Sequence, residues 1–135
     1  MRLLDHGYKI QIFSSVSPSE DPEKVKTAIL NIFPESKITN AEDFSIYAET
    51  TDLRSLEKIR ETIHSTQSQK ALQRQLEKHM NKNSTWFYLN KQAAFVGRIA
   101  LCEEADESPL GPLKIIITST NMNRVIESLI LDDDR

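Results

Sequence analysis

The sequence predicts an α+β domain: an antiparallel or mixed sheet with helices on one face, in the order β-α-β-β-α-α-β-β-β-α. Three observations carry this. Apolar residues recur at helical spacing in four stretches and at alternate positions in the stretches between them. The strands mostly follow one another instead of alternating singly with helices, which favours a layered sheet over a doubly wound one. The length, 135 residues with 39% hydrophobic and 27% charged, suits one domain with its own core. Its bounds are read as 8–131, with 1–7 an aperiodic, frayed start and 132–135 an acidic tail.

Tyr8 to Val16 alternates and gives the first strand, broken by Ser17-Pro18. Asp21-Pro22-Glu23 then starts a helix with an N-cap acceptor, a proline at the first helical position and an acid in the first turn. Val25, Ala28, Ile29, Ile32 and Phe33 form its apolar stripe, and Pro34 ends it. Lys37 to Ile38 and Phe44 to Glu49 read as two strands joined by the polar turn 39–43. Asp52 caps a helix that buries Leu53, Leu56, Ile59 and Ile63. Thr66 and Gln69 match a capping box, so a separate helix is expected from there to about Met80.

Ser84 to Leu101 is the most apolar and aromatic stretch. It reads as two strands around the polar corner Asn90-Lys91-Gln92, with Trp86 and Tyr88 on one face and Phe87 and Leu89 on the other. A strand apolar on both sides belongs in mid-sheet or under a partner. An acidic loop follows, Glu103 to Glu107, ending in Pro109-Leu110-Gly111-Pro112. Leu113 to Thr118 is the last strand. Asn121 or Asn123 caps a final helix with Val125, Ile126, Leu129 and Ile130 on one side.

Net charge is −3, yet its distribution is uneven. Arg54 to Arg98 holds nine Lys or Arg against three Asp or Glu, and the remainder holds eight against seventeen. Screening isolates exposed charges beyond about 8 Å, so the acidic ends do not cancel this basic region. Within it Lys70, Arg74, Lys78 and Lys82 recur every four residues, opposite Leu72, Leu76 and Met80. Such a ridge can follow a phosphate backbone. A solvated helix face has the same placement, but it usually mixes signs, and here only Glu77 interleaves. Lys91 and Arg98 are candidates to extend the patch. Trp86, Phe87, Tyr88 and Phe95 resemble a stacking platform for single-stranded RNA, although strand aromatics more often belong to a core or an interface.

Other chemistry finds little support. Three glycines form no phosphate-cradling loop, and His6, His64 and His79 lack ligand spacing. Cys102, the sole cysteine, lies beside Glu103 and Glu104, which disfavour its thiolate. No metal, cofactor or catalytic role is expected. A lone thiol, short apolar runs and no leader-like segment in Met1 to Ile10 point to a cytoplasmic chain outside the membrane.

Ser19-Glu20-Asp21-Pro22-Glu23-Lys24-Val25, the run from Phe87 to Arg98 (FYLNKQAAFVGR) and Glu107-Ser108-Pro109-Leu110-Gly111-Pro112 together resemble a small archaeal family, uncharacterised protein family zero-two-zero-one. The resemblance covers nearly the whole chain. It implies a fold like large-subunit ribosomal protein five, a homodimer, and RNA as the anionic partner. Two departures are Ser17, where relatives commonly carry Arg before the proline, and the uncharged break Ser65-Thr66-Gln67-Ser68-Gln69. They place the weight on Lys70 to Lys82. The expectation is a non-catalytic, RNA-binding homodimer that contacts phosphates through Lys70, Arg74, Lys78 and Lys82, with Lys91 and Arg98 as lesser contributors. The alternative is a dimeric scaffold protein that docks a protein partner and binds no nucleic acid.

Overall fold

Strand β1 (Tyr8–Ser15) alternates apolar and polar residues, and it pairs along its length with β6 (Leu113–Ser119). These two form the middle of a six-stranded sheet. The other strands are β2 (Lys37–Glu42), β3 (Ser45–Thr50), β4 (Ser84–Leu89) and β5 (Leu101–Cys102), in the spatial order β2-β3-β1-β6-β4-β5 with every pair antiparallel. The computed structural model describes residues 8–42, 44–104 and 110–131. The expected frayed start, the acidic tail and residues 105–109 of the acidic loop lie outside the described residues.

All helices pack on one face. Helix α1 (Pro22–Ile32) is capped by Asp21, whose Oδ1 accepts from Glu23 N at 2.9 Å. It buries Val25, Ala28, Ile29 and Ile32. Helix α2 (Leu53–Ser65) starts at Asp52, and the hydrogen bonds from Arg54 hold the Asp52 carboxyl below its ordinary value. Helices α3 (Gln69–Lys78) and α5 (Met122–Ile130) lie beside it. Arg60 and His64 of α2 reach the last carbonyls of α5. Arg60 Nε donates to Ser128 O at 2.9 Å, and His64 Nε2 lies 2.9 Å from Leu129 O. The helices share one core with the inward residues of the sheet: Ile10, Ile12, Ile46, Ala48, Phe87, Leu89, Leu113, Ile115 and Ile117.

Four local expectations are corrected. Ser84 to Leu101 is not a pair of strands, because β4 is followed by the short helix α4 (Lys91–Phe95). Asn90 caps it, its Oδ1 accepting from Ala93 N at 2.8 Å. Gly97, at φ +80°, turns the chain out so that Gly97 N donates to Ala94 O and Arg98 N to Ala93 O. The expected capping box at Thr66 is absent because Thr66 closes α2 instead. Gln67 adopts φ +56°, and Ser68 N and Gln67 N donate back to Ile63 O and His64 O. Strand β2 reaches Glu42, with a register shift between Ile38 and Asn40, where a turn was expected. Finally, β4 is next to the edge of the sheet, and the two central strands are β1 and β6.

Candidate functional site

Helix α3 stands where a neighbouring strand would continue past the two-residue β5. Its inner side carries Leu72 and Leu76, both fully buried and each stabilising by about 1.5–3 kcal/mol. Its flank bonds polar groups of β4 and β5. Gln75 Oε1 accepts from Tyr88 N at 3.0 Å, and Gln75 Nε2 donates to Cys102 O at 3.1 Å. Thr85 Oγ1 donates to Leu76 O at 2.6 Å. His79, the C-cap of α3, places Nδ1 3.0 Å from Trp86 O, so Nδ1 carries the proton. An edge strand with open donors and acceptors is a hazard, and α3 closes this one with side chains.

The outer side of α3 carries Lys70, Arg74 and Lys78, all exposed. Lys82 lies past the helix end, in the turn to β4, with φ +57°. Among the described residues no ion pair engages Lys70, Lys78 or Lys82, whereas Arg74 Nη2 bonds Glu103 Oε1 at 3.0 Å. Glu77, the interleaved acid, accepts from Gln73 Nε2 at 3.1 Å. Three of the four cations expected in the ridge are therefore on the helix, and the fourth lies in the turn that follows it.

Lys91 does not join that surface. It is buried on α4, with its side chain 5% exposed against Glu20 at 10%. Its Nζ donates to both Glu20 carboxylate oxygens at 3.1 and 3.2 Å, to Ser15 O at 2.9 Å and to Leu110 O at 2.7 Å. An ammonium has three protons, and this set uses them all. Arg98 is exposed just beyond α4, on the part of the molecule where α4 packs against α1. Of the four aromatics expected to form a platform, Phe87 is fully buried in the core and Phe95 lies on α4. Trp86 and Tyr88 do lie together on the outward face of the sheet, half-buried.

That face holds residues the sequence did not single out. Strand pairing aligns Tyr47, Phe13, Lys114 and Tyr88 in one row across β3, β1, β6 and β4. The next row is Glu49, Gln11, Ile116 and Trp86. All eight are half-buried. Phe13 and Tyr47 pack edge to face with centroids 6.4 Å apart. His79 stacks on Trp86 at 4.4 Å, and Lys114 Nζ lies 4.3 Å from the Trp86 ring centroid. The outward positions of YKIQIFSS and SIYAET were visible as an alternation, but their meeting in one row required the pairing register.

Elsewhere, Leu30, Phe95 and Val96 are exposed large apolar side chains on the packed pair α1 and α4, and Lys24 Nζ lies 5.8 Å from the Phe95 ring centroid. Beside Phe95 is a groove of about 360 Å³ whose lining includes Lys24, Val25, Ala28 and Leu110. Among the described residues no cluster of three or more His, Cys, Asp or Glu could hold a metal ion, and no helix is long and apolar enough to cross a membrane.

Comparison with known proteins places this geometry among relatives. A family model described as RNA binding matches residues 9–120. A UPF0201 protein of Methanothermobacter thermautotrophicus is 38% identical over 124 residues, covering 92% of each chain. The crystal structure of a UPF0201 protein from Methanococcus jannaschii superposes with a TM-score of 0.75 at 32% identity, over 93% of this chain and 95% of that one. A second UPF0201 crystal structure gives 0.77 at 28% identity, over 94% and 98%.

Proposed function

Because the chain belongs to the UPF0201 family, and the family model spanning it is described as RNA binding, we propose that the protein is a non-catalytic, RNA-binding homodimer whose α3 holds phosphates. The observation that carries the site is the outer side of α3 and its exit turn. Lys70, Lys78 and Lys82 are exposed there without a carboxylate partner among the described residues. Cations already neutralised by acids have little left to offer a phosphate, and these three have their full charge available. Arg74 is exposed as well, and its surface pair with Glu103 is of the kind worth about 0–1 kcal/mol, so a phosphate can replace it.

Three phosphate contacts give a slope of log affinity against log salt of about −2 for a single strand, and Arg74 as a fourth takes it to about −3. Lys70→Glu with Lys78→Glu, measured by fluorescence anisotropy on labelled RNA oligonucleotides of unrelated sequence, is expected to weaken binding to all of them alike. The slope should become shallower by about 1.4. An affinity that survives the double reversal, or that ignores salt, assigns the phosphates elsewhere.

A further inference from the structure

We propose that the sheet face opposite the helix-packed core is a stacking platform for two or three unpaired nucleotides of a single-stranded RNA. Phe13, Tyr47 and Tyr88 supply ring faces, and Lys114 supplies the cation among them. The inference rests on the RNA-binding reading above but not on the α3 ridge.

The row Tyr47–Phe13–Lys114–Tyr88 crosses four adjacent strands, or three strand spacings of about 4.8 Å each. That span of about 14 Å matches sheet modules that stack two or three bases on strand aromatics. The helices bury the opposite face, so these rings are half-exposed where core residues on neighbouring positions are fully enclosed. The chemistry of the face is mixed in the way single strands require, with π surfaces for bases and ammonium groups for the linking phosphates. Glu49 is the one acid among the outward side chains of β1, β3, β4 and β6, and it lies 4.0 Å from Lys9. Lys114 has no carboxylate partner among the described residues.

A second copy of the chain fits this face less well. Interface cores are depleted in lysine, and packing two copies there would desolvate Lys114 at the centre of the row. Trp86 is not a stacking surface, since His79 lies against its ring and Lys114 sits over it. It braces the end of the platform instead. Because His79 is the C-cap of α3, it also joins the platform to the helix that carries the cationic ridge.

The test uses the full chain with two labelled probes, a ten-nucleotide oligouridylate and an RNA duplex. Phe13→Leu and Tyr88→Leu keep apolar bulk but remove the ring. Each is expected to weaken oligouridylate binding by a factor of about 5 to 150 while leaving duplex binding unchanged and lowering the melting temperature by a few degrees at most, from the lost ring contacts. If either variant melts early, Gln11→Glu replaces it, adding a like charge to the same face with no apolar packing to lose, and it should also weaken the single-strand complex. Unaltered oligouridylate binding in the sheet variants, with loss in the Lys70→Glu/Lys78→Glu pair, overturns the platform and leaves RNA binding standing. A parent chain that binds neither probe removes the RNA reading itself and this inference with it. A parent dimer that Phe13→Leu and Tyr88→Leu split into monomers gives the face to a second copy and likewise overturns the platform.

Discussion

Lys91 shows how far a residue's role can lie from its appearance in sequence. It follows Asn90 in a polar corner and has no acidic neighbour in the chain, so it reads as a surface cation. Its partner Glu20 is 71 positions away, and only the fold brings the two together, along with the carbonyls of Ser15 and Leu110. Removing one member of a buried pair strands the other charge, at a cost of about 3–5 kcal/mol. Lys91→Ala is expected to lose that much in urea denaturation. Replacing both members, Lys91→Met with Glu20→Leu, should recover most of it, since no buried charge is then left unpaired. A single variant as stable as the parent would mean the pair is not what holds these segments together. By contrast, Asp21 and Asp52 as N-caps were legible, because a cap is a local bond between residues two or three positions apart.

Elements were read well where their signals were local and poorly where two signals competed. The apolar stripe of α1 is buried as expected, α5 buries Val125, Ile126 and Leu129 but leaves Ile130 half-buried, and the α3 cations lie opposite its leucines. The segment 91–97 went astray because its apolar residues suggested a second strand, while the stronger instructions were a capping asparagine, two alanines and a terminating glycine. Gly97 is needed for its backbone and not for space, since a Cβ there would meet nothing within 4 Å. Gly97→Ala is accordingly expected to cost about 1–2 kcal/mol from the positive φ alone, read as a shift in denaturation midpoint with unchanged cooperativity. Gly97→Asn, which tolerates that region better, should cost less. Equal losses in the two would point to packing instead of backbone strain. Thr66 is ambiguous for a related reason. The same residue can end one helix or begin the next, and sequence spacing alone does not say which.

At the scale of the molecule, the order of elements apart from α4 and the placement of helices on one side were legible, but the pairing order was not. The positive excess between Arg54 and Arg98 proved to be a sum of different things. Arg54 is paired with Asp52 and Glu35, Arg60 is buried against α5, Lys91 is buried with Glu20, and the remainder faces solvent. Counting charge along a chain cannot separate these. For the proposed homodimer, the apolar side chains Leu30, Phe95 and Val96 offer a contact away from both α3 and the sheet face. Asp21 and Glu23, with Lys24 and Arg98, give that region both signs of charge, which suits a self-complementary two-fold contact. Sedimentation equilibrium should show a dimer that Val96→Asp converts to a folded monomer, and a persistent dimer would place the contact elsewhere. A last consequence follows from Trp86, the chain's only tryptophan. Lodged between the His79 ring and the Lys114 ammonium, it is an inbuilt fluorophore at the seam of sheet and α3. Its emission gives a label-free optical gauge of whatever settles beside it.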